Sequence, residues 1–410
     1  MTAMASEPIS YWQRTSQFLP LSSALPQSVD TLVIGGGVFG AVACYWLARE
    51  GRAVALLERE GVAYGASGRN GGFVVAGMHE DYPVAIQRLG HETARAVMSL
   101  SYENQALLRQ VLIEEEITCD YREPGSLGLA LGEAQLAQVR KSVEMLQADG
   151  FPALMLERYE VQELIHTPLG AEILGAKFLP GQALVHSARL VQGLLKAAQR
   201  RGAHLYQARA LRLLQDGEGV VVVTEQGSIR AGSVVLAINA WTGEVIPEMR
   251  GLIVPARGQA LAYAPVEPIF TTAVFAALTA TEEYWQQTPD GSIVLGGCRA
   301  LAPGRDMGVW EAVPTPDVQE ALEQILPRLF PQLPRLQVVQ RWAGLMDFTP
   351  DCIPIVDRVP GIEHAWFVAG LSGHGMPFSM LIGRMLAEAV QTEKLPAALW
   401  PLRFGRETLR

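Results

Sequence analysis

"TLVIGGGVFGAVACYWLA", Thr31 to Ala48, runs for eighteen residues without a charge and holds three consecutive glycines. Its length suits a membrane span, but the glycines interrupt it, and Asp30 and Arg49 bound it closely. It divides better into a buried strand, Thr31 to Ile34, a glycine turn, and a helix from Val38 to Glu50 that ends at Gly51. "AVALLE", Ala53 to Glu58, reads as a second buried strand. Strand, glycine turn, helix and strand begin a parallel, doubly wound sheet, which places the chain in the α/β class.

Gly35, Gly37 and Gly40 stand in GxGxxG spacing between that strand and that helix, with Val38 and Phe39 inside the motif. The first glycine allows the tight turn, the second lets backbone approach a pyrophosphate, and the third lets helix and strand pack closely. The phosphates then lie on the positive helix N-terminus. Glu58 ends the next strand, eighteen residues after Gly40, where an acid can accept both ribose hydroxyls of an adenosine. A dinucleotide is expected. FAD and NAD share the motif, and Glu58 disfavours the 2′-phosphate of NADP by charge.

Two further glycine-rich sites favour the longer cofactor. "YGASGRNGGF", Tyr64 to Phe73, follows the acidic residue, and "VAGLSGHGMP", Val368 to Pro377, joins a strand to a helix. Glycine serves where something must approach the backbone closely. The helix after the second site is expected to offer free N–H groups and partial positive charge. FAD is long enough to use all three sites.

At 410 residues, with 49% hydrophobic, the chain has material for two domains and a large core. A net charge of −9 argues against a nucleic-acid partner. Cys44, Cys119, Cys298 and Cys352 lie far apart, so they read as reduced thiols of a cytoplasmic protein, with no metal site expected. "MTAMASEPISYWQRTS" has no apolar run of the signal-peptide kind, and no integral membrane segment is expected. Helices are expected over Tyr82 to Glu116, Gln135 to Ala148, Ser187 to Gly202 with a serine cap, and Pro377 to Val390. Strands are expected at "GSLGLAL", "HLYQARALRLL", "GVVVVTEQG", "SIRAGSVVLAINA", "GQALAYA", "GSIVLGG" and "AWFVAGL", with "EQGS" a hairpin turn.

Taken together, the opening unit, "GASGRNGG", "VVLAINAWTG", "VPARGQ", "TPDGSIVLGG", "RWAGLMDFTPDCIPIVDRVPG" and "VAGLSGHGM" resemble the FAD-dependent D-amino-acid-oxidase/glycine-oxidase/sarcosine-oxidase superfamily over nearly the whole chain. Its γ-glutamylputrescine-oxidase-like amine oxidases are the most similar branch. The resemblance implies an N-terminal arm (1–29) and a discontinuous, Rossmann-like FAD-binding domain (30–80, 150–240 and 341–410). An inserted antiparallel or mixed-sheet substrate domain (81–149 and 241–340) would roof the flavin, making the chain α+β overall. It also implies that Gly35, Gly37, Val38, Phe39 and Gly40 hold the pyrophosphate, and Glu58 with Arg59 the adenosine. Ser67, Gly68, Arg69, Asn70, Gly71 and Gly72 would follow the ribityl chain and ring. Leu211 would meet adenine through its backbone, while Gly344, Leu345, Gly373, His374, Gly375 and Met376 would face the flavin.

Three departures shape the rest. Gly344 stands where sarcosine-oxidase-like relatives attach FAD through a cysteine, so noncovalent FAD is expected. No lysine lies between Lys196 and Lys394, where such relatives use one to assist oxygen. Met346 stands where glycine-oxidase-like relatives clamp a carboxylate with arginine, and Asp347 follows it. Met346, Asp347 and Tyr263 are therefore the expected substrate contacts, with Asp347 attracting an ammonium or merely capping a turn; no catalytic residue is assigned. The resemblance implies oxidation of the CH–NH bond of an amine or amino acid to an imine, with O2 as acceptor and H2O2 as product. One alternative is a dehydrogenase for N-methyl or cyclic amino acids that passes electrons to a quinone or partner protein. Another is a non-enzymatic or protein-modifying flavoprotein.

Overall fold

The computed structural model describes residues 9–409. The expected strand, turn and helix open the fold as Ser28–Ile34 and Val38–Arg49, with Val54–Glu58 pairing parallel to the first strand. Every residue from Val38 to Ala48 is buried. The helix is apolar on all sides because it lies between two other helices, Ser187–Gln199 and Ser379–Thr392. A Cβ on Gly40 would stand 1.8 Å from the Gly35 carbonyl oxygen, and one on Gly383 would stand 2.4 Å from Val42 Cγ1. Hydrogen at these two positions lets the helix approach both its strand and its neighbour.

The first sheet runs Ile355–Arg358, Ala365–Ala369, Gly227–Leu236, Ser28–Ile34, Val54–Glu58, His204–Gln207. All pairings in that path are parallel except the one between Ile355–Arg358 and Ala365–Ala369. Ala210–Asp216 and Gly219–Thr224 form an antiparallel meander that joins Gly227–Leu236 through the expected hairpin, with Thr224 opposite Gly227. "HLYQARALRLL" is therefore two strands that serve different neighbours. The helix expected to be capped by Ser187 is instead capped by His186, whose Nδ1 accepts from the Arg189 N–H at 3.3 Å.

The second sheet is mixed: Val338–Phe348, Val254–Tyr263, Ile293–Gly296, Glu283–Gln287, Ala273–Ala276, Ser126–Leu131, Ile173–Leu179, Leu154–Glu157. Only Ala273–Ala276 and Ser126–Leu131 pair in parallel. The sheet memberships differ from the expected domain ranges at three places. Leu154–Glu157, Ile173–Leu179 and Val338–Phe348 belong to this roof sheet: the first pairs with the second, the second with Ser126–Leu131, and the third with Val254–Tyr263. The helix His91–Glu114, expected in the roof domain, contributes Ala94, Val97, Leu107 and Val111 to the core of the first domain.

Residues 1–8 of the N-terminal arm lie outside the described residues. The rest of the arm starts with a short helix, Tyr11–Arg14, closed by a Ser10–Gln13 capping box. Trp12 is buried and its Nε1 donates to the Asn70 carbonyl at 2.6 Å, while Gln13 Nε2 donates to the carbonyls of Ala63 and Tyr64. The arm thus braces the second glycine loop from behind. At the other end, Arg406 is held in a buried ion pair by Asp351, at 2.6 and 2.8 Å. Among the described residues no helix is long and apolar enough to cross a membrane.

Gly40→Ala tests the close approach. The contact is with rigid backbone, so the loss of stability is expected at or above the upper end of the roughly 1–3 kcal/mol that overpacking costs. Chemical denaturation of the variant reads it, and an unchanged midpoint would rule out this packing.

Candidate functional site

A cavity of about 770 Å³ lies between the two sheets. Gly35, Gly37, Val38, Phe39, Glu58 and Arg59 line it from the first unit, and Ser67, Arg69, Asn70 and Gly71 from the second glycine loop. Gly344, Leu345, Met346 and Asp347 line it from the roof strand, and Gly373, His374, Gly375 and Met376 from the third glycine site. Four stretches of the chain therefore meet on one space.

Five of the expected residues do not line it. Gly40 packs on Gly35; Gly68 is similarly pressed, its would-be Cβ 1.9 Å from the Ala63 carbonyl oxygen. Gly72 has φ +77° and would meet the Val185 carbonyl and Trp12. Leu211 points outward at 43% exposure, and Ala208, Arg209 and Ala210 form the wall in its place. Tyr263 is buried in the roof domain's own core, its strand position flanked by Ile293 and Val338. Strand alternation turns its ring away from the cavity.

The loop residues divide their work. Ser67 Oγ accepts from the Val38 N–H at 2.8 Å, joining the second glycine loop to the start of the first helix. Asn70 shapes the loop: its Oδ1 accepts from the Gly72 N–H and its Nδ2 donates to the Ser67 carbonyl. Arg69 Nη1 donates to the Ala343 carbonyl, but its Nε and Nη2 are buried without a partner. Asn239 Oδ1 and His374 Nδ1, also on the cavity wall, are likewise buried and unpaired. Buried polar groups are nearly always satisfied, so these atoms call for a polar ligand between the sheets. Glu58 accepts from the N–H groups of Gly36 at 2.6 Å and Glu60 at 2.8 Å, and Arg59 lies 4.0 Å over the Trp241 ring. The donor set, the glycine cradle and the unpaired atoms fit a dinucleotide such as FAD.

Of the two roles expected for Asp347, the structure shows the cap: its carboxyl oxygens accept from the N–H groups of Gly370 at 2.6 Å and Leu371 at 3.1 Å. It caps the turn that begins the third glycine site. In the helix Ser379–Thr392, Asn104 Oδ1 accepts from the N–H groups of Met380 and Leu381, so these two amides already have a partner.

Aromatic rings from several elements complete the cavity wall. Phe73 packs against Phe275 at 5.1 Å and Tyr284 at 5.5 Å; His79 meets Phe348 at 5.2 Å and His374 at 5.7 Å. Arg299 lies 4.8 Å over Phe348. Burial, with His374 and Arg299 nearby, pushes the His79 imidazole down to about 3, and burial lowers His374 as well. Lys177, also on the wall, is held by Asp81 and Ser142. Sequence reading missed His79, Asn239, Trp241, Tyr284 and Arg299. Asn239 and Trp241 lie within "VVLAINAWTG", which the resemblance had already singled out.

Residues 30–389 match the family model described as DAO, FAD dependent oxidoreductase. The chain is 27% identical over 400 residues to the gamma-glutamylputrescine oxidoreductase of Escherichia coli (strain K12), covering 95% of this chain and 90% of that protein. It is 28% identical over 369 residues to a glycine oxidase of Pseudomonas aeruginosa, covering 88% and 94%. The crystal structure of glycine oxidase from Geobacillus kaustophilus superposes with a TM-score of 0.80 at 22% identity, covering 93% of this chain and 100% of that one. That last likeness is one of fold.

Asp347 gives a pH signature. Burial pushes its carboxyl from 3.8 up to about 7. The folded pKa lies above the unfolded one, so this group's stabilisation is full below about pH 4 and is lost as pH rises through about 7. Asp347→Asn is expected to flatten the fall of Tm between about pH 4 and about pH 7. Parallel Tm profiles for the two proteins would contradict it.

Proposed function

The chain belongs to the DAO family of FAD-dependent oxidoreductases, and from that premise we propose that it oxidises the CH–NH bond of a small amine or amino acid to an imine, with O2 as acceptor and H2O2 as product. The observation that supports this most is the convergence of unpaired Arg69, Asn239 and His374 atoms on one aromatic-roofed cavity beside the GxGxxG turn. Bound there, FAD supplies a two-electron acceptor. Gly35, Gly37, Val38 and Phe39 would hold its pyrophosphate, Glu58 and Arg59 its adenosine, and Arg69, Asn239 and His374 its remaining polar groups. No cysteine lines the cavity among the described residues, which supports noncovalent binding. The four cysteines are free thiols, which agrees with a reducing, cytoplasmic setting.

The chain's own part is to orient the substrate and exclude water. Phe73, Phe275, Tyr284 and Phe348 supply apolar walls. His79, held at about 3, is neutral near pH 7 and too weak a base to take a proton from an ammonium group. The substrate nitrogen must therefore be unprotonated when it reacts. It follows that kcat/KM rises with pH along the titration of the substrate amine. A profile that ignores a change of substrate amine pKa would contradict this.

Anaerobic mixing of the yellow protein with polyamines, N-methyl amino acids and cyclic imino acids tests the reaction class. At least one compound is expected to bleach the visible flavin absorbance, with H2O2 formed when oxygen is readmitted. Failure of the whole panel to bleach it would defeat the reading. Bleaching without peroxide would instead favour a dehydrogenase that passes electrons to a quinone or partner protein. One observation favours that second reading: Lys177, the lysine on the cavity wall, is already held by Asp81 and Ser142.

A further inference from the structure

The cavity runs on beyond the wall formed by Gly344 to Met346 and Gly373 to Met376. Gly344 and Met346 line it from the roof strand Val338–Phe348, and Lys177 lines it from Ile173–Leu179. Those two strands are six steps apart in the roof sheet, which is about 29 Å along the sheet at about 4.8 Å a step. Past Phe275 the walls come from Leu129 and from Val139 and Leu146 of the helix Glu133–Ala148, all apolar. The charged side chains of this far part are mostly engaged. Asp81 and Lys177 pair with each other beside Ser142, and Glu80 pairs with Arg88. Glu282, which also lines the cavity, has no hydrogen bond or ion pair among the described residues.

That carboxylate sits on a fixed turn. Glu282 has φ +48°, a conformation that residues with a side chain seldom adopt. Glu283 beside it is buried and accepts from the N–H groups of Leu278 at 2.9 Å and Thr279 at 3.1 Å. Glu283 therefore holds the loop together, while Glu282 is left facing the space. Desolvation, reinforced by Asp81 and Glu283 and opposed by Lys177, pushes the Glu282 carboxyl up to about 7. Glu282 is nonetheless exposed, so the surface it exposes belongs to a space enclosed by protein rather than to the open exterior. A carboxylate in such a place is stabilised by a cation that arrives with the ligand.

We propose that the far part of the cavity binds the distal end of a long substrate, an alkyl chain that ends in an ammonium, with Glu282 as its counter-charge. This rests on the amine-oxidising reading above and narrows it to amines that carry a second positive charge. From Val338–Phe348 to Glu283–Gln287 is three strand steps, about 14 Å across the sheet, a span that an extended alkyl chain can cover. The methylenes lie along the apolar walls and lose contact with water. The neutral amine reacts at one end, and the charged amine is held at the other.

The test titrates tetramethylene-, hexamethylene-, octamethylene- and decamethylenediamine into the FAD-loaded enzyme, each against the amino alcohol of the same length. Binding is followed without oxygen by the shift of the flavin's visible spectrum and by calorimetry. For at least one length the native enzyme is expected to bind the diamine at least about tenfold more tightly than the amino alcohol. Glu282→Gln is expected to weaken that diamine by about 10-fold and leave the amino alcohol unchanged within about twofold. Glu282→Asp should keep part of the preference. A carboxylate that served only the turn would shift Tm without moving the ratio of the two affinities. Absence of the preference at every length in the native enzyme, or its persistence in Glu282→Gln, overturns the proposal. If Glu282→Gln does not fold, the native ratio and the aspartate variant decide. Selective diamine binding in an enzyme that no amine bleaches would support the cation site and defeat the reaction; bleaching with no diamine preference would do the reverse.

Discussion

One buried carboxylate joins the two halves of this molecule. Asp347 stands near the end of the roof strand Val338–Phe348, and its oxygens receive the N–H groups of Gly370 and Leu371, just past a strand of the first sheet. Its own carbonyl accepts from Ser372 at 2.7 Å. These bonds set the third glycine site against the roof, so the cavity wall from Gly344 to Met376 forms as one surface. Because the carboxyl is buried, its protonation also ties that surface to pH.

The second glycine loop is fixed to the same strand. Trp342 Nε1 donates to the Arg69 carbonyl at 2.9 Å, and Arg69 Nη1 donates back to the Ala343 carbonyl at 3.1 Å. Gly344 lacks a side chain where a Cβ would stand 2.9 Å from the Arg69 Cβ. From the other side Trp12 and Gln13 hold the loop, so its glycines serve close packing as much as ligand approach. Of the polar residues in the loop, Ser67 ties it to the first helix, Asn70 is spent on its shape, and Arg69 keeps Nε and Nη2 for the cavity.

Much of the first domain was legible because its signals are local. An uncharged run broken by Gly35–Gly37, an acid at the end of the next strand, and the spacing between them are written within 28 residues, Thr31 to Glu58. Cavity-lining members of all three glycine sites, among them Gly37, Asn70 and His374, were also named from sequence. The roof was less legible. "ILGAKFL" and "VVQRWAGLMDF" have no mark that says which sheet they join, and pairing partners lie far away in the chain. The side chains of Tyr263 and Leu211 point away from the cavity, because period-2 alternation and a strand break after Gln207 decide which way a side chain points.

By itself, then, the sequence determined the doubly wound start, the three backbone approaches to a long cofactor, and the absence of an arginine at Met346. Each depends on residues close in the chain and on the steric limits of glycine. Only the tertiary structure decided what the charged side chains do. It turned Asp347 inward to cap a turn and gave two amides near the start of helix Ser379–Thr392 to Asn104, and it brought Arg299, just past the strand Ile293–Gly296, over Phe348. Charge acts through space and desolvation rather than along the chain, so the work of these side chains could be read only once the folded neighbours were in place.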